Sequence, residues 1–391
     1  MPPFELDRRS LLAALLATTA FAQNARADSG ILKIGVLSTL TGPGATWGLA
    51  IDGGARIAAK EINDRGGLNV GGRKLQIEIV AYDDQYKAAN AVTAINRLID
   101  RDGVRFILGP IASVSLSAIK PVTEARKVFL LPNSWSPTVF QDAQYVFRIS
   151  STTREFLPKS VEWLKQAKPS IKRVATLAPN DETGWTSQKV QKEVYTQAGY
   201  TVTAAEFFER QQTDFRALLT KILATNPDAI ELDTVPPATA GLVVRQAREA
   251  GFTGAFTKFG GFDVAEIVRT AGAENAEGIV GVLLADPNSD VWGRLKTAYA
   301  TYQKNEPSDF VILFYDAARI LFAGIEKAGT VDDPDKVKAA IEGLSPFAGS
   351  LGALKWGGKE NYGVNHQLYT PVFLTEIKGG QGHVIKKIET A

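Results

Sequence analysis

The side chains best suited to chemistry lie in short loops that follow apolar runs. After Val104–Leu108 comes Gly109-Pro-Ile-Ala-Ser-Val-Ser115, a small, hydroxyl-rich loop that opens a helical pattern. Free backbone N–H groups and the positive end of the helix dipole favour an anion there, and Ser113 and Ser115 add donors. After Val128–Leu131 comes Pro132-Asn-Ser-Trp135, with Ser134. After Ile171–Leu177 comes Pro179-Asn-Asp-Glu-Thr-Gly-Trp185, with Thr183. The run Ile31–Ser38 leads into Thr39-Leu-Thr-Gly-Pro-Gly-Ala-Thr-Trp47, and two further loops are Asp233-Thr-Val-Pro-Pro237, with Val235, and Gly260-Gly-Phe-Asp263, with Phe262. Three of the six tryptophans, Trp47, Trp135 and Trp185, fall in these loops. Indoles favour places where an apolar face meets a polar rim, so they offer walls to a flat or bulky apolar ligand.

Catalysis finds little support among the same residues. There are no cysteines and only two histidines, His366 and His383, both near the C-terminus and read as surface imidazoles. A thiolate nucleophile, a Cys-ligated metal and a histidine-rich zinc site are therefore not expected. Gly42-Pro-Gly44-Ala-Thr-Trp47 puts an indole where a dinucleotide fingerprint needs its third glycine, and no Gly-x4-Gly-Lys-Ser/Thr loop exists, so no cofactor is expected. Asp83-Asp84 sits at a strand end, where neighbours point to opposite sides, so a shared metal or acid–base site is not expected. Both are read as solvated or capping groups. Lys+Arg 44 against Asp+Glu 42 gives a net charge of +2, which makes no case for a nucleic-acid partner.

These loops need strands and helices to hold them. Runs such as Ile31–Ser38 and Leu75–Tyr82 read as strands. Gly48–Asp64 and Lys87–Asp102 carry apolar residues at helical spacing. Strands alternating with helices predict an α/β fold with parallel sheets covered on both faces. The rhythm restarts near Ser150–Thr153, so 391 residues read as two similar lobes. The chain is expected to cross back near Gly281–Asp286 and again near Ser345–Gly349, and Leu351–Trp356 with Val372–Ile377 reads as a hairpin-like pair. Arg8-Arg9, the apolar run Leu11–Ala22 and Ala25-Arg-Ala27 read as an export signal, with the paired arginines pointing to the twin-arginine route. The division is then 1–27 as signal, 28–149 with 285–345 as lobe one, and 150–284 with 346–391 as lobe two. The expected compartment is the periplasm, and the expected state a monomer.

Taken in order, these pieces resemble the branched-chain amino-acid-binding proteins of ABC importers. The resemblance rests on Lys33–Gly48, Gly54-Ala-Arg, Glu61-Ile-Asn, Gly66-Gly67, Tyr82-Asp-Asp84, Gly109 with its serines, Pro132 with Pro137, Asp214-Phe, Arg245-Gln-Ala-Arg248 and Glu277-Gly278. It implies a type I periplasmic-binding fold of two doubly wound lobes joined by a multi-crossing hinge. It also implies delivery of a small solute to ABC permease subunits, without catalysis. Carried over, Ser113, Ser134 and Trp135 hold the ligand carboxylate and Trp47 matches the first-loop aromatic. Thr183 stands where the family has a tyrosine, with Trp185 as its expected substitute. Gly260 stands where amino-acid binders of the family carry an acid for the α-ammonium. The expected ligand is therefore a carboxylate without an ammonium, on an aromatic or branched apolar body. An amino acid is the alternative ligand, an exported sensor domain the alternative role. Asp233 and Asp263 are left open as substitutes for the missing acid.

Overall fold

The computed structural model describes residues 30–390, so the expected signal at 1–27 lies outside the described residues. The chain begins with β1 (Ile31–Ser38), α1 (Ala45–Asp64), the hairpin β2 (Leu68–Val70) and β3 (Arg73–Asp83), then α2 (Ala88–Asn96), β4 (Phe106–Leu108), α3 (Ser113–Ala125) and β5 (Phe129–Leu131). These strands form a sheet of order β2-β3-β1-β4-β5. The pairs β1–β3, β1–β4 and β4–β5 are parallel. The inner half of β1 is wholly buried, as a sheet covered by helices on both faces requires.

The chain leaves this lobe through Ile149–Thr152. Thr152 and Glu155 cap the next helix reciprocally, which fixes the direction of departure. Lobe two contains α4 (Thr153–Ala167), β6 (Arg173–Pro179), α5 (Glu182–Gln197), β7 (Thr201–Phe208), α6 (Arg216–Leu223), β8 (Ala229–Glu231), α7 (Pro237–Glu249), β9 (Ala255–Lys258), α8 (Val264–Ala271) and β10 (Val280–Leu283). After Leu284 the chain returns to lobe one as α9 (Asp290–Tyr299), α10 (Phe310–Ala328) and α11 (Pro334–Glu342). Helix α10 is apolar on nearly every side and packs against α1.

The tail corrects two expectations. Strands β11 (Phe347–Gly349), β12 (Gly352–Gly357) and β13 (Gln367–Tyr369) form a separate small sheet. It packs on lobe one: Phe147 meets Trp356 edge-on at 5.3 Å, and Trp356 Nε1 donates to Ile341 O at 3.0 Å. The fully buried Arg148 donates to Tyr362 Oη, Gln367 Oε1 and Ser136 O. So the last crossing lies near Thr370, not at Ser345–Gly349. Residues 346–369 accordingly pack with lobe one. The expected hairpin pair is also split. β14 (Val372–Lys378) pairs with β10 and with β15 (Gln381–Ile388), both antiparallel, closing the sheet β15-β14-β10-β9-β8-β6-β7. His366 is buried rather than exposed. Its ring stacks on Phe147 at 3.9 Å and Nε2 meets Glu342 at 2.9 Å. Asp84 is buried too: it accepts from Thr39 Oγ1 and Tyr86 N and braces the first loop.

Candidate functional site

The carboxyl ends of β1, β3, β4 and β5 face those of β6, β8 and β9 across a cleft. The first lobe contributes Trp47, Tyr86, Ile111, Asn133, Trp135 and Phe310 to the cavity between them; the second contributes Thr183, Thr234 and Gly261. Trp47 enters from the first turn of α1 and stacks on Phe310 at 5.9 Å. The cavity holds only about 30 Å³, room for a water or two. The lobes are therefore closed on one another, and a ligand enters only when they part. A broader depression of about 820 Å³ lies at the amino ends of the lobe-two strands, around Lys168, Asp228 and Gly251. It is open, and none of the expected site residues lines it.

Hydroxyls join the two lobes at the cleft floor. Ser134 Oγ and Thr183 Oγ1 each donate to Ser113 Oγ at 2.9 Å. Ser113 therefore accepts twice, leaving its own proton free to donate. It is the first residue of α3, whose N-cap, Ala112, supplies no side-chain acceptor. The serines thus do not cap the helix, and its first N–H groups keep their capacity for an anion. Nearby Asn133 Nδ2 and Trp135 Nε1 are buried without partners. Both residues line the cavity, so two unspent donors stand on its first-lobe side.

Arg210 reaches across from the loop after β7. Its guanidinium lies 3.7 Å from the Tyr86 ring centroid, Nη2 donates to Tyr86 Oη at 2.8 Å, and Nε pairs with Asp181. Burial pushes the Tyr86 phenol up to about 12, so it stays protonated. Glu182 adds a second bridge, accepting from Ser117 Oγ at 2.7 Å and from Ser136 Oγ.

The glycine pair of lobe two meets the two indoles. A Cβ on Gly261, which has φ 61°, would come 2.7 Å from the Trp47 ring. A Cβ on Gly260 would come 2.5 Å from the Trp135 ring and 1.9 Å from Asp233 Oδ1. Side chains at either place would force the lobes apart. An acid at 260 is therefore sterically excluded, and the carboxylate of Asp233 stands behind that position instead. Asp233 is fully buried. Oδ2 accepts from Thr153 Oγ1 at 3.0 Å and from Ser187 Oγ, whereas Oδ1 has no partner. Burial raises its pKa, opposed by Ser187 and by the charge of Lys258. Lys258 is buried below, donating to Leu232 O, Val235 O and Gly260 O. Burial pulls it down to about 8. It ties the two loops that carry Thr234 and Gly261.

Trp47, Ser113, Ser134, Trp135 and Thr183 are thus brought together, with Gly260 behind Trp135. The other expected residues are not. Trp185 is 54% exposed, its Nε1 on Asn180. It lies two positions after the inward-facing Thr183, about 200° round the helix, so the two cannot share a face. Phe262 is buried in the lobe-two core, its ring over Gly281. Val235 is in the same core, and only its carbonyl contributes, to Lys258. Ser115 is buried beside Asp84, away from the cavity. Tyr86, Asn133, Thr234, Arg210 and Phe310 were not anticipated. The first four lie in loops after strands, so the rule that located the other loops covers them. Phe310 opens a helix after a crossing, and no local motif marks it.

Two doubly wound lobes, crossed three times by the chain and closed over a donor-rich cleft, define a type I periplasmic-binding fold. Residues 31–381 match the periplasmic binding protein family, and the chain belongs to it. It is 28% identical to the leucine-, isoleucine-, valine-, threonine- and alanine-binding protein of Pseudomonas aeruginosa, over 95% of this chain and 99% of that one. It is 28% identical to the Leu/Ile/Val-binding protein BraC3 of Rhizobium johnstonii, over 89% and 93% of the two chains. Among solved structures, the leucine-binding protein LivK of Thermotoga maritima superposes with a TM-score of 0.79, at 26% identity, covering 92% of this chain and 99% of that one. A solute-binding protein of R. palustris, solved with benzoate, shares the fold with a TM-score of 0.78 at 20% identity, covering 93% and 97%.

Proposed function

We propose that this chain is the periplasmic solute-binding component of an ABC importer, which closes on a small carboxylate and presents it to the permease. The observation that carries the reading is the uncapped start of α3 with Ser113, Ser134 and Thr183 converging on it from both lobes. A carboxylate there would take the free N–H groups and the spare hydroxyl proton. The ligand's differential affinity for the closed state is what would shift the lobes. The domain division, corrected at the tail, makes closure a rotation about three strands of chain.

The ligand reading turns on Asp233. Its unpartnered Oδ1 supplies a buried acceptor where Gly260 lacks one. A buried acceptor left unmade is costly, and an α-ammonium would satisfy it. We therefore favour an apolar α-amino acid, with the relatives named as branched-chain binders in support. The ammonium-free aromatic acid stands as the second reading, supported by the indole walls of Trp47 and Trp135 and by Lys258, which already offsets the Asp233 charge. Calorimetric titration with leucine and phenylalanine, their α-keto analogues and benzoate separates the two. Tight binding of the amino acids alone, lost in Asp233→Asn, is expected. Equal binding of the keto acids would reject the role of Asp233. Binding of none would reject the carboxylate reading.

A further inference from the structure

We propose that the chain carries a second small-molecule site, on the hinge side of the lobes, that takes a small protonated amine. A cavity of about 180 Å³ lies where the chain crosses after β10. It shares no lining residue with the interlobe cavity. Asp263 and Asp309 both line it, one from each lobe. Each spends one carboxylate oxygen on backbone: Asp263 Oδ1 accepts from Glu266 N at 2.9 Å, and Asp309 Oδ2 from Leu284 N. Among the described residues the other oxygen of each makes no hydrogen bond. Ser308, next to Asp309 in the chain, also lines the cavity; it is 3% exposed and its Oγ is buried without a partner.

The surrounding groups decide the ligand class. Lys296 lines the rim, but its Nζ is held by Glu306 at 2.7 Å and is half exposed. Lys258 is spent on three carbonyls, and Glu266 is paired with Arg269. The cavity is therefore acidic inside. Among the described residues no group of three His, Asp or Glu side chains could hold a metal ion. Leu283, Pro307 and the Trp292 indole supply apolar wall, which suits an alkyl body, and an indole face also attracts a cation. Burial pushes Asp309 up to about 7 and Asp263 to about 6. A bound cation would relieve that cost.

Ethylammonium chloride is the probe, added at about pH 8 and followed by thermal shift and calorimetry, with sodium chloride at equal ionic strength as the control. A saturable stabilisation beyond the salt control is expected, with affinity lowered tenfold or more in Asp309→Asn and several-fold in Ser308→Ala. The amide oxygen introduced by Asp309→Asn can still accept from Leu284 N. If that variant does not fold, Ser308→Ala, which deletes only an unpartnered hydroxyl, decides alone. Absence of a saturable response, or an unchanged affinity in the variant that decides, overturns the proposal. So does a response lost in Asp233→Asn, which would put the amine in the interlobe cleft. The outcome is independent of which acid the cleft takes.

Discussion

The guanidinium of Arg210, in lobe two, lies flat on the phenol of Tyr86, in lobe one, 3.7 Å from its centroid, and donates to the same ring's hydroxyl at 2.8 Å. One side chain thus makes a cation–π contact and a charge-assisted hydrogen bond across the cleft. Both exist only while the lobes are closed. Tyr86 itself sits at φ 58°, and Gln85 before it at 50°. Two successive residues in the left-handed region are uncommon away from glycine. The loop after β3 holds the phenol under Arg210 in a conformation that local preference opposes.

Arg210→Ala is expected to speed ligand release. Loss of a hydrogen bond to a charged group and of a cation–π contact amounts to about 1–3 kcal/mol. Stopped-flow tryptophan fluorescence would then read a release rate raised about fivefold or more, with the association rate less affected. Tyr86→Phe keeps the ring and should give a smaller increase. An unchanged release rate in Arg210→Ala would remove this contact from the closing mechanism.

Ser113→Ala is expected to weaken binding of the preferred carboxylate by about 1–3 kcal/mol. It also leaves Ser134 Oγ and Thr183 Oγ1 without their shared acceptor, so Tm should fall slightly. Ser115→Ala, which deletes a hydroxyl away from the cavity, should leave affinity unchanged. Equal losses in the two variants would mean that α3 is disturbed as a whole rather than at its first residue.

Much of the fold is legible because strand and helix periods differ. Residues 310–328 carry apolar side chains at nearly every position, and the helix is observed over Phe310–Ala328. α3 begins at Ser113, where the hydroxyl-rich loop after β4 was expected to open a helix. Helix α4 (Thr153–Ala167) was hidden: Pro158 lies inside it, and an interior proline normally argues against a helix. Part of the site was legible from strand-end loops alone, as with Trp47, Ser113 and Trp135. Which way a residue turns within such a loop was not. Phe262 follows Gly261, which has φ 61°, and its ring is buried in the lobe-two core over Gly281. The role of Asp233 depends on the absence of a side chain at 260, a contact between two different loops that no linear spacing encodes.

Stability should fall as pH rises through the neutral range. Glu231 is fully buried, accepting from Tyr195 Oη, Thr257 Oγ1 and Phe259 N. Burial, and the neighbouring Asp233, push it from 4.5 up to about 7. Between those values the folded chain binds more protons than the unfolded one, so stability is lost with rising pH. Asp309, pushed up to about 7 by burial, acts in the same sense. Lys258, pulled down to about 8, acts oppositely above that pH. Urea unfolding at about pH 5 and about pH 8 should show the wild type less stable at the higher pH. Glu231→Gln should reduce that difference by on the order of 1–3 kcal/mol. An unaltered difference would mean that Glu231 does not titrate in this range.

Gly261→Ala tests whether the lobes close on the indole pair. The added methyl must adopt φ 61° and would come 2.7 Å from the Trp47 ring. The backbone term costs about 1–2 kcal/mol, and it acts whether the lobes are open or closed. The clash acts only on closure, because Trp47 belongs to lobe one and Gly261 to lobe two. The loss should therefore show in affinity beyond what the fall in Tm reports, by about fivefold or more if the overlap costs about 1–3 kcal/mol. Trp47→Phe in the same chain shortens the ring system and should restore part of the lost affinity. Rescue of this kind is specific to a contact made at closure. A double variant no better than Gly261→Ala alone would place the cost in the loop backbone and leave the indole without a part in closing.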